Sequence, residues 1–407
     1  MHIPISAAPV GALLTLTGAQ PISLPLTKEY VPLILDGQSL NFRADSGSAR
    51  SFAIYGPSYE ALKGEGSCGR TQSGCYFCPT DNPCGDILSR KRWTVKFADG
   101  HQFEYVEHNV TLVIPNKTVP NFKIGLAVAY SNIHGTDAWV FGLLGLSIAR
   151  TNIPETFLEQ LKRRQVISSL VYSCHAEERG PCISGNLTLD DSGITEVPPV
   201  SFRGHSSQIK KITVPLLPLT LIDPYGNRWK QKKRYASIGV NRKTVAGYVD
   251  TGATFIDVSN KEFEGIVNLT VSTMHQNQHE LNLQSRDELV WKDPKTRFYM
   301  VRREAVPYLP TLAYYVGDPT HRMEIRIQPK HLVSGCDLRS CQFDISPSPD
   351  GNIYLGHPLF RAYDVKFDLS NYLIYFSPHR SNAASVGQAQ DAEPGTSKLP
   401  LVGPQAK

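Results

Sequence analysis

The chain has 407 residues, with charged residues at 19% and as many as 31 Gly and 29 Pro. Charge is sparse beside the roughly 25% of average globular proteins, and a formal net charge of +5 over this length gives no ground for a nucleic-acid partner, which needs a concentrated basic face. The length suits two domains or one bilobal body, and the glycine and proline content suits strands and turns more than helices.

In chain order, MHIPISAAPVGALLTLTGAQ is apolar and ends in small residues, as a signal peptide does, but has no basic n-region, so segment 1–20 is signal-like without being complete. No later apolar run reaches the ~18 residues of a membrane span. Short runs follow instead, bounded by Gly, Pro, Asn and Asp: ISLPL, YVPLIL, VTLVI, FKIGLAVAY, SLVYSC, ITVPLLPLTLI and NYLIYF. Their length and β-branched content predict strands and a largely β body. NIPETFLEQLKRRQ predicts a short amphipathic helix, with Phe157, Leu158 and Leu161 on one face and a proline near its start. SNKEFEGIVN predicts another, opened by a capping box of Ser259 and Glu262. The basic run RWKQKKRY, residues 228–235, follows the turn-forming DPYGN and reads as a solvated hairpin end. His275 and His279 stand four apart but have no third ligand nearby, which argues against a metal. From about residue 380 the sequence loses periodicity and has little to bury, the pattern of a disordered tail.

Cysteines fall in local groups: Cys68, Cys75, Cys78 and Cys84, then Cys174 and Cys182, then Cys336 and Cys341. This favours short disulfide loops in an oxidising compartment over zinc, although the CxxC pair Cys75 and Cys78 keeps zinc as a rival. Cys174 with Cys182 and Cys336 with Cys341 are the expected local bridges, and three pairings stay open for the first four. Sequons beginning at Asn109, Asn116, Asn186 and Asn268 are compatible with a secreted glycoprotein.

FRADSGSAR, residues 42–50, ends a strand-like run with an acid, a hydroxyl and a glycine, and alone it reads as no more than a polar turn. VAGYVDTGATFID repeats the pattern, so that Asp250 echoes Asp45 from 205 positions away. Each acid is followed by a second signal: VFGLLGLS places Gly145 at 100 residues after Asp45, and IYLGHPLF places Gly356 at 106 after Asp250. Two features in the same order at nearly the same interval suggest a duplicated lobe, each carrying one acid. Serine chemistry at Ser46 fails on its partners: only His2 lies upstream, and no G-x-S-x-G elbow surrounds the serine.

From about residue 25 to 378 the chain resembles the pepsin-like aspartic proteases. The resemblance rests on the two D-[ST]-G triplets, Leu143-Leu144-Gly145 and Tyr354-Leu355-Gly356, the run from NIPETFLEQL to LVYSC, ISGNLTLDD, and the C-terminal YLGHPLFRAYDVKFDLSNYLIYFSP. It implies a mostly β, bilobal acid-protease fold with two pseudo-symmetric, β-barrel-like lobes and few short helices: an N-terminal lobe over 21–193, a C-terminal lobe over 194–379 and a tail over 380–407. It also implies an aspartic endopeptidase in which Asp45 and Asp250 activate a water, with no metal or organic cofactor. The substrate would be a peptide or protein, extended in the cleft between the lobes. A monomer of the secretory pathway, secreted or endolysosomal, is expected, without nucleic acid or a membrane span. The competing implication is a catalytically silent protein-binding module on the same scaffold.

By the same resemblance Ser46 and Thr251 hydrogen-bond across the lobes, Gly47 and Gly252 let backbone amides approach the acids, and Ser48 is an outer partner of the first acid. Ala253 stands where the second lobe has the matching residue and cannot donate. Loss of that donor predicts an activity optimum less acidic than a gastric enzyme's. Phe97, Ala98, Asp99 and Gly100 match the tip of the flap that covers the cleft, with Phe97 in the place of the family's tyrosine. His357 replaces a residue that is often acidic, and its charge would oppose the effect of Ala253.

Overall fold

The structure is a computed structural model and describes residues 20–132, 140–193, 195–204, 212–229, 244–276, 288–317, 322–348 and 351–379. The signal-like segment, the tail, His279 and all but the first two residues of the basic run lie outside these. Arg228 and Trp229 form an exposed hairpin strand after the turn Asp223–Asn227, paired with Thr220–Ile222.

Period-two alternation places the first strands. In Ile22–Leu26, Ile22, Leu24 and Leu26 are buried while Ser23 and Pro25 face out. Further on, each half of the chain builds the same arrangement. In the first half, Gln38–Asp45 runs parallel to Gly142–Gly145 with Asp45 opposite Gly145. Gly142–Gly145 is antiparallel to Phe52–Ile54, which in turn runs parallel to Lys117–Asn132. In the second half, Val245–Val249 runs parallel to Ile353–Leu355, Ile353–Leu355 is antiparallel to Ile256–Val258, and Ile256–Val258 runs parallel to Ile345–Pro347. The repeated acid-to-glycine interval is therefore a repeated sheet topology. In both halves the glycine is required by close approach. A Cβ at Gly145 would lie 2.4 Å from the Arg50 carbonyl oxygen, and one at Gly356 2.3 Å from those of Ala253 and Phe255.

The two halves meet in a sheet ordered Ile22–Leu26, Gly185–Leu189, Val171–Ala176, Tyr363–Asp368, Leu373–Pro378, Val200–Ser201. At its centre the rings of Tyr172 and Phe367, one from each half, stack with centroids 4.7 Å apart, and both belong to the main apolar core. A second core cluster, including Phe52, Phe103, Tyr105 and Phe141, lies in the first half. Among the described residues no helix is long and apolar enough to cross a membrane.

The two predicted helices are present. Thr156 and Glu159 cap Phe157–Arg163 reciprocally, and Ser259 and Glu262 do the same for a helix whose described part, Asn260–Gln276, continues well past the predicted stretch. Asn268 lies on that helix with its side-chain oxygen buried, whereas Asn109, Asn116 and Asn186 are exposed on strands or turns. Peptide mapping of chain made in a secretory host is expected to find glycan at any of those three and none at Asn268, where attachment would have to displace packed helix surface.

Disulfides join Cys68 to Cys75, Cys78 to Cys84 and Cys336 to Cys341. The expected Cys174–Cys182 bridge is absent, and both cysteines are free. Strand alternation turns Cys174 into the main core, opposite Leu187 and Val365, while half-buried Cys182 sits in the following loop near Glu29 and Arg43.

One ion cluster joins Val171–Ala176 and Tyr363–Asp368 to the residue that follows Leu373–Pro378. Asp364 Oδ1 lies 3.4 Å from His175 Nδ1 and 3.2 Å from His379 Nδ1. Hydrogen bonds from the two histidines hold the Asp364 carboxyl down at about 2, against the upward pull of burial. The Asp364 hydrogen bond raises His175, and in His379 its attraction outweighs burial, which acts downward. The raised histidines contribute stability that is complete below their unfolded values and lost as pH rises through their folded ones. The lowered acid contributes above its unfolded value. The cluster therefore stabilises most between about pH 4 and 6.5. The melting temperature is expected to fall between pH 5.5 and 8 by more in the native chain than in Asp364→Asn; equal falls would remove the cluster as the cause.

Candidate active site

Asp45 is the last residue of its strand, and Asp250 directly follows Val245–Val249. Each acid begins a tight turn whose next residue reaches across to the other half. The Ser46 amide donates to Thr251 Oγ1 (2.9 Å), and the Thr251 amide donates to Ser46 Oγ (3.0 Å). The Ser46 hydroxyl donates to the Val249 carbonyl and the Thr251 hydroxyl to that of Ala44, both at 3.0 Å. Four buried bonds thus lock the turns together in a two-fold pattern. The Ser46 hydroxyl is committed to this lock and has no histidine base, which removes it as a nucleophile.

The glycines shape the space between. The Gly47 amide donates to Asp45 Oδ1 and the Gly252 amide to Asp250 Oδ1, each at 2.8 Å. A Cβ on Gly47 would lie 2.4 Å from Asp250 Oδ2, and one on Gly252 2.8 Å from Asp45 Cγ. Each glycine is bare because the opposite carboxyl occupies the place of a side chain. The two carboxyl groups face one another across these glycines, close enough for the charge of Asp250 to act on Asp45. Burial and the negative charge of Asp250 push the Asp45 carboxyl well above the usual carboxylate range, while Arg43 and the Gly47 amide pull the other way. The charge of one carboxyl thus opposes ionisation of the other.

Ser48 is buried, and its hydroxyl accepts the Arg50 amide hydrogen at 3.3 Å. Ala253 donates its amide to the Asp250 carbonyl and accepts from the His357 amide. Phe97, Ala98, Asp99 and Gly100 form the turn between Arg92–Lys96 and His101–Ile114. Gly100 takes φ +89°, and the Phe97 amide donates to the His101 carbonyl. The Phe97 ring, half-buried, packs on Phe103 and Phe141 with centroids 5.6 and 5.7 Å away. Arg43 Cζ in turn lies 5.6 Å from the Phe141 ring, so aromatic packing runs from the hairpin tip to the strand that carries Asp45.

His357 is fully buried, and burial together with Arg43 and Arg361 pushes it down to about 3. It is therefore neutral in mild acid, and the opposing charge expected of it is absent. Its Nε2 lies 3.1 Å from the Thr251 carbonyl and 3.3 Å from Glu29 Oε2, so the ring hydrogen sits on Nε2. Glu29 also pairs with Arg43, Nε to Oε1 at 3.2 Å. Sequence reasoning passed over Glu29 and Arg43. The available signal was an arginine two residues before the acid in a strand whose last four residues are all buried.

Among the described residues, Cys78, Cys84 and His108 bring three ligand-type atoms within 4.8 Å of one another. They do not suit a metal. The thiols are joined in a disulfide, and Arg90 Nη1, 3.1 Å from His108 Nδ1, can only donate there, which leaves the ring hydrogen on Nε2 facing Cys84 Sγ.

The fold is the bilobal, mostly β fold of the pepsin-like proteinases. No protein-family model matches the chain, and no curated protein matches it in sequence. Among solved structures, the aspartic proteinase from Irpex lacteus superposes with a TM-score of 0.60 at 15% identity, covering 90% of this chain and 99% of that one. At that identity the likeness speaks for the architecture alone.

Proposed function

We propose that the protein is an aspartic endopeptidase in which Asp45 and Asp250 hold and activate one water molecule. The observation that carries this reading is the acid pair itself. Two carboxyls from opposite halves face one another, each against the other triplet's glycine, each takes an amide from its own triplet's glycine, and reciprocal Ser46 and Thr251 bonds hold both turns. One ionised carboxylate takes a proton from the water while the protonated partner donates to the scissile carbonyl oxygen. The tetrahedral intermediate then collapses as a proton passes to the leaving amine. No covalent intermediate or cofactor enters these steps.

An extended peptide between the lobes, beneath the Phe97–Gly100 turn, would use main-chain hydrogen bonds and apolar pockets. Phe97 would cover the substrate without the hydrogen bond a tyrosine offers. Three disulfides and the fold favour the secretory pathway, with the protein acting outside the cytosol. The test is digestion of a peptide library across about pH 2 to 7, with and without pepstatin. Pepstatin-sensitive cleavage is expected, with its maximum less acid than a gastric enzyme's. Folded protein that cleaves nothing at any pH would instead be a silent binding module on this scaffold.

A further inference from the structure

Behind the acid pair lies a buried chain of charge that the hydrolytic steps do not use. Arg43 stands two residues before Asp45 on the same strand, and its guanidinium makes two contacts to Glu29, Nε to Oε1 at 3.2 Å and Nη2 to Oε2 at 3.3 Å. His357, from the second half, donates its Nε2 hydrogen to the carbonyl of Thr251, inside the second acid triplet, and the same nitrogen lies 3.3 Å from Glu29 Oε2. Arg43 Nη2 donates to the Glu29 carboxyl, and Arg43 Nε and His357 Nε2 lie within 3.3 Å of it; burial raises Glu29 above the usual carboxylate range, while the charge and hydrogen bond of Arg43 pull it back towards the ionised form. Glu29, Arg43 and His357 are all under 10% exposed, so this is a continuous interior connection between the two acid turns.

The backbone at Glu29 supports a selected role. Lys28 and Glu29 take φ of +48° and +67° in a two-residue turn closed by Thr27 and Tyr30. Such a turn favours Asn and Gly, and neither residue here is either. Its Glu29 amide donates to Ile183 and its Glu29 carbonyl accepts from Ala44, next to the first acid. The surrounding structure thus holds an unfavoured conformation that aims a carboxylate at Arg43.

We propose that Arg43, clamped by Glu29, is a positioning residue for the acid pair, its fixed charge setting the pH interval over which Asp45 and Asp250 share a single proton. The titratable or charged groups facing this network are Asp45, Asp250, Tyr30, Tyr172, Cys182 and Arg361, besides its own three members. Arg43 stands two residues before Asp45 on one strand, hence on the same face, and its charge lowers that acid against burial. Arg43 is covalently placed beside the first acid, whereas Glu29 meets this strand through its ion pair with Arg43, so the Arg43 charge is expected to dominate at the acid pair. This inference rests on the proteolytic reading only for what the pair does, because the electrostatics can be measured without turnover.

The test uses full-length chain with carbon-13 in the aspartate side chains. The resonances of Asp45 and Asp250, assigned by their loss in the Asn variants, are titrated, and the pH profile of peptide cleavage is recorded in parallel. Arg43→Met is expected to move the pair's titration, and both limbs of the cleavage profile, upward by about one pH unit. Glu29→Gln, which leaves Arg43 uncompensated, is expected to move them downward, and Arg43→Lys to return them close to native. Opposite shifts from the two members of one ion pair are not the result of mere loosening. If either single variant fails to fold, Arg43→Met/Glu29→Gln leaves no unpaired buried charge and is expected to shift upward, because the dominant charge is gone. Shifts of the same sign, or a double variant that titrates like the native chain, overturn the proposal. A native chain that cleaves nothing while its acids shift as described sinks the protease reading and leaves this one standing.

Discussion

Asp45→Asn and Asp250→Asn are each expected to lower kcat by about a thousandfold or more while leaving the protein folded. An amide has nearly the shape of a carboxyl, so the Gly47 or Gly252 amide contact and the crossed bonds of Ser46 and Thr251 can persist. The shared proton cannot. An amide neither takes a proton from water nor cycles through an acid form, so one half of the relay is lost whichever acid is changed. Because the two groups act as one unit, the double variant should be scarcely worse than either single one. Stability is expected to move little, or upward at neutral pH, because replacing one acid relieves the repulsion and burial that raise Asp45. Melting curves beside cleavage rates decide the matter. Folded Asn variants that retain a tenth or more of native activity would remove both acids from the chemistry.

Breaking the crossed bonds between the acid turns is expected to be the most costly change to stability. Ser46 is 0% exposed and Thr251 1%, so water cannot replace what a deletion removes. Thr251→Val is nearly isosteric, yet it strands the Ser46 amide and the Ala44 carbonyl; Ser46→Ala strands the Thr251 amide and the Val249 carbonyl. Each buried group left unpaired costs about 1–3 kcal/mol, so each variant, which strands two, should lose about 2–6 kcal/mol. Since the residues share bonds, the double variant should lose less than the sum. Thr251→Ser, which keeps the hydroxyl, should cost under about 1 kcal/mol. Denaturant unfolding measures all four, and a loss below about 0.5 kcal/mol for Thr251→Val would mean the bonds do not join the halves. Cleavage should fall with the lock, because the carboxyls depend on it for their separation.

Much of this architecture is visible along the chain, for a definite reason. A strand that ends in an acid and turns through a hydroxyl and a glycine is a local demand of the backbone, satisfied within a few residues, and it occurs at both Asp45 and Asp250. The glycines at 145 and 356 are equally legible, since close backbone approach forbids a Cβ there. The caps at Thr156 and Ser259 are local in the same sense. The strands and both helices, and hence the mostly β class, follow from such short-range rules.

Other features depend on which distant residues the fold makes neighbours. Neither Cys174 nor its sequence spacing to Cys182 reveals that one thiol faces the core and the other a loop beside Glu29. The pairing of Cys68 with Cys75 and Cys78 with Cys84 was one of three open possibilities until the chain path separated them. His357, expected to carry charge, is neutral because tertiary packing buries it near two arginines. Sequence alone established two matching acid turns, each with its glycine partner, because each is written in contiguous residues. That Arg43, Glu29 and His357 form one buried network behind them was decided only when a turn and a helix start more than three hundred residues apart were brought together.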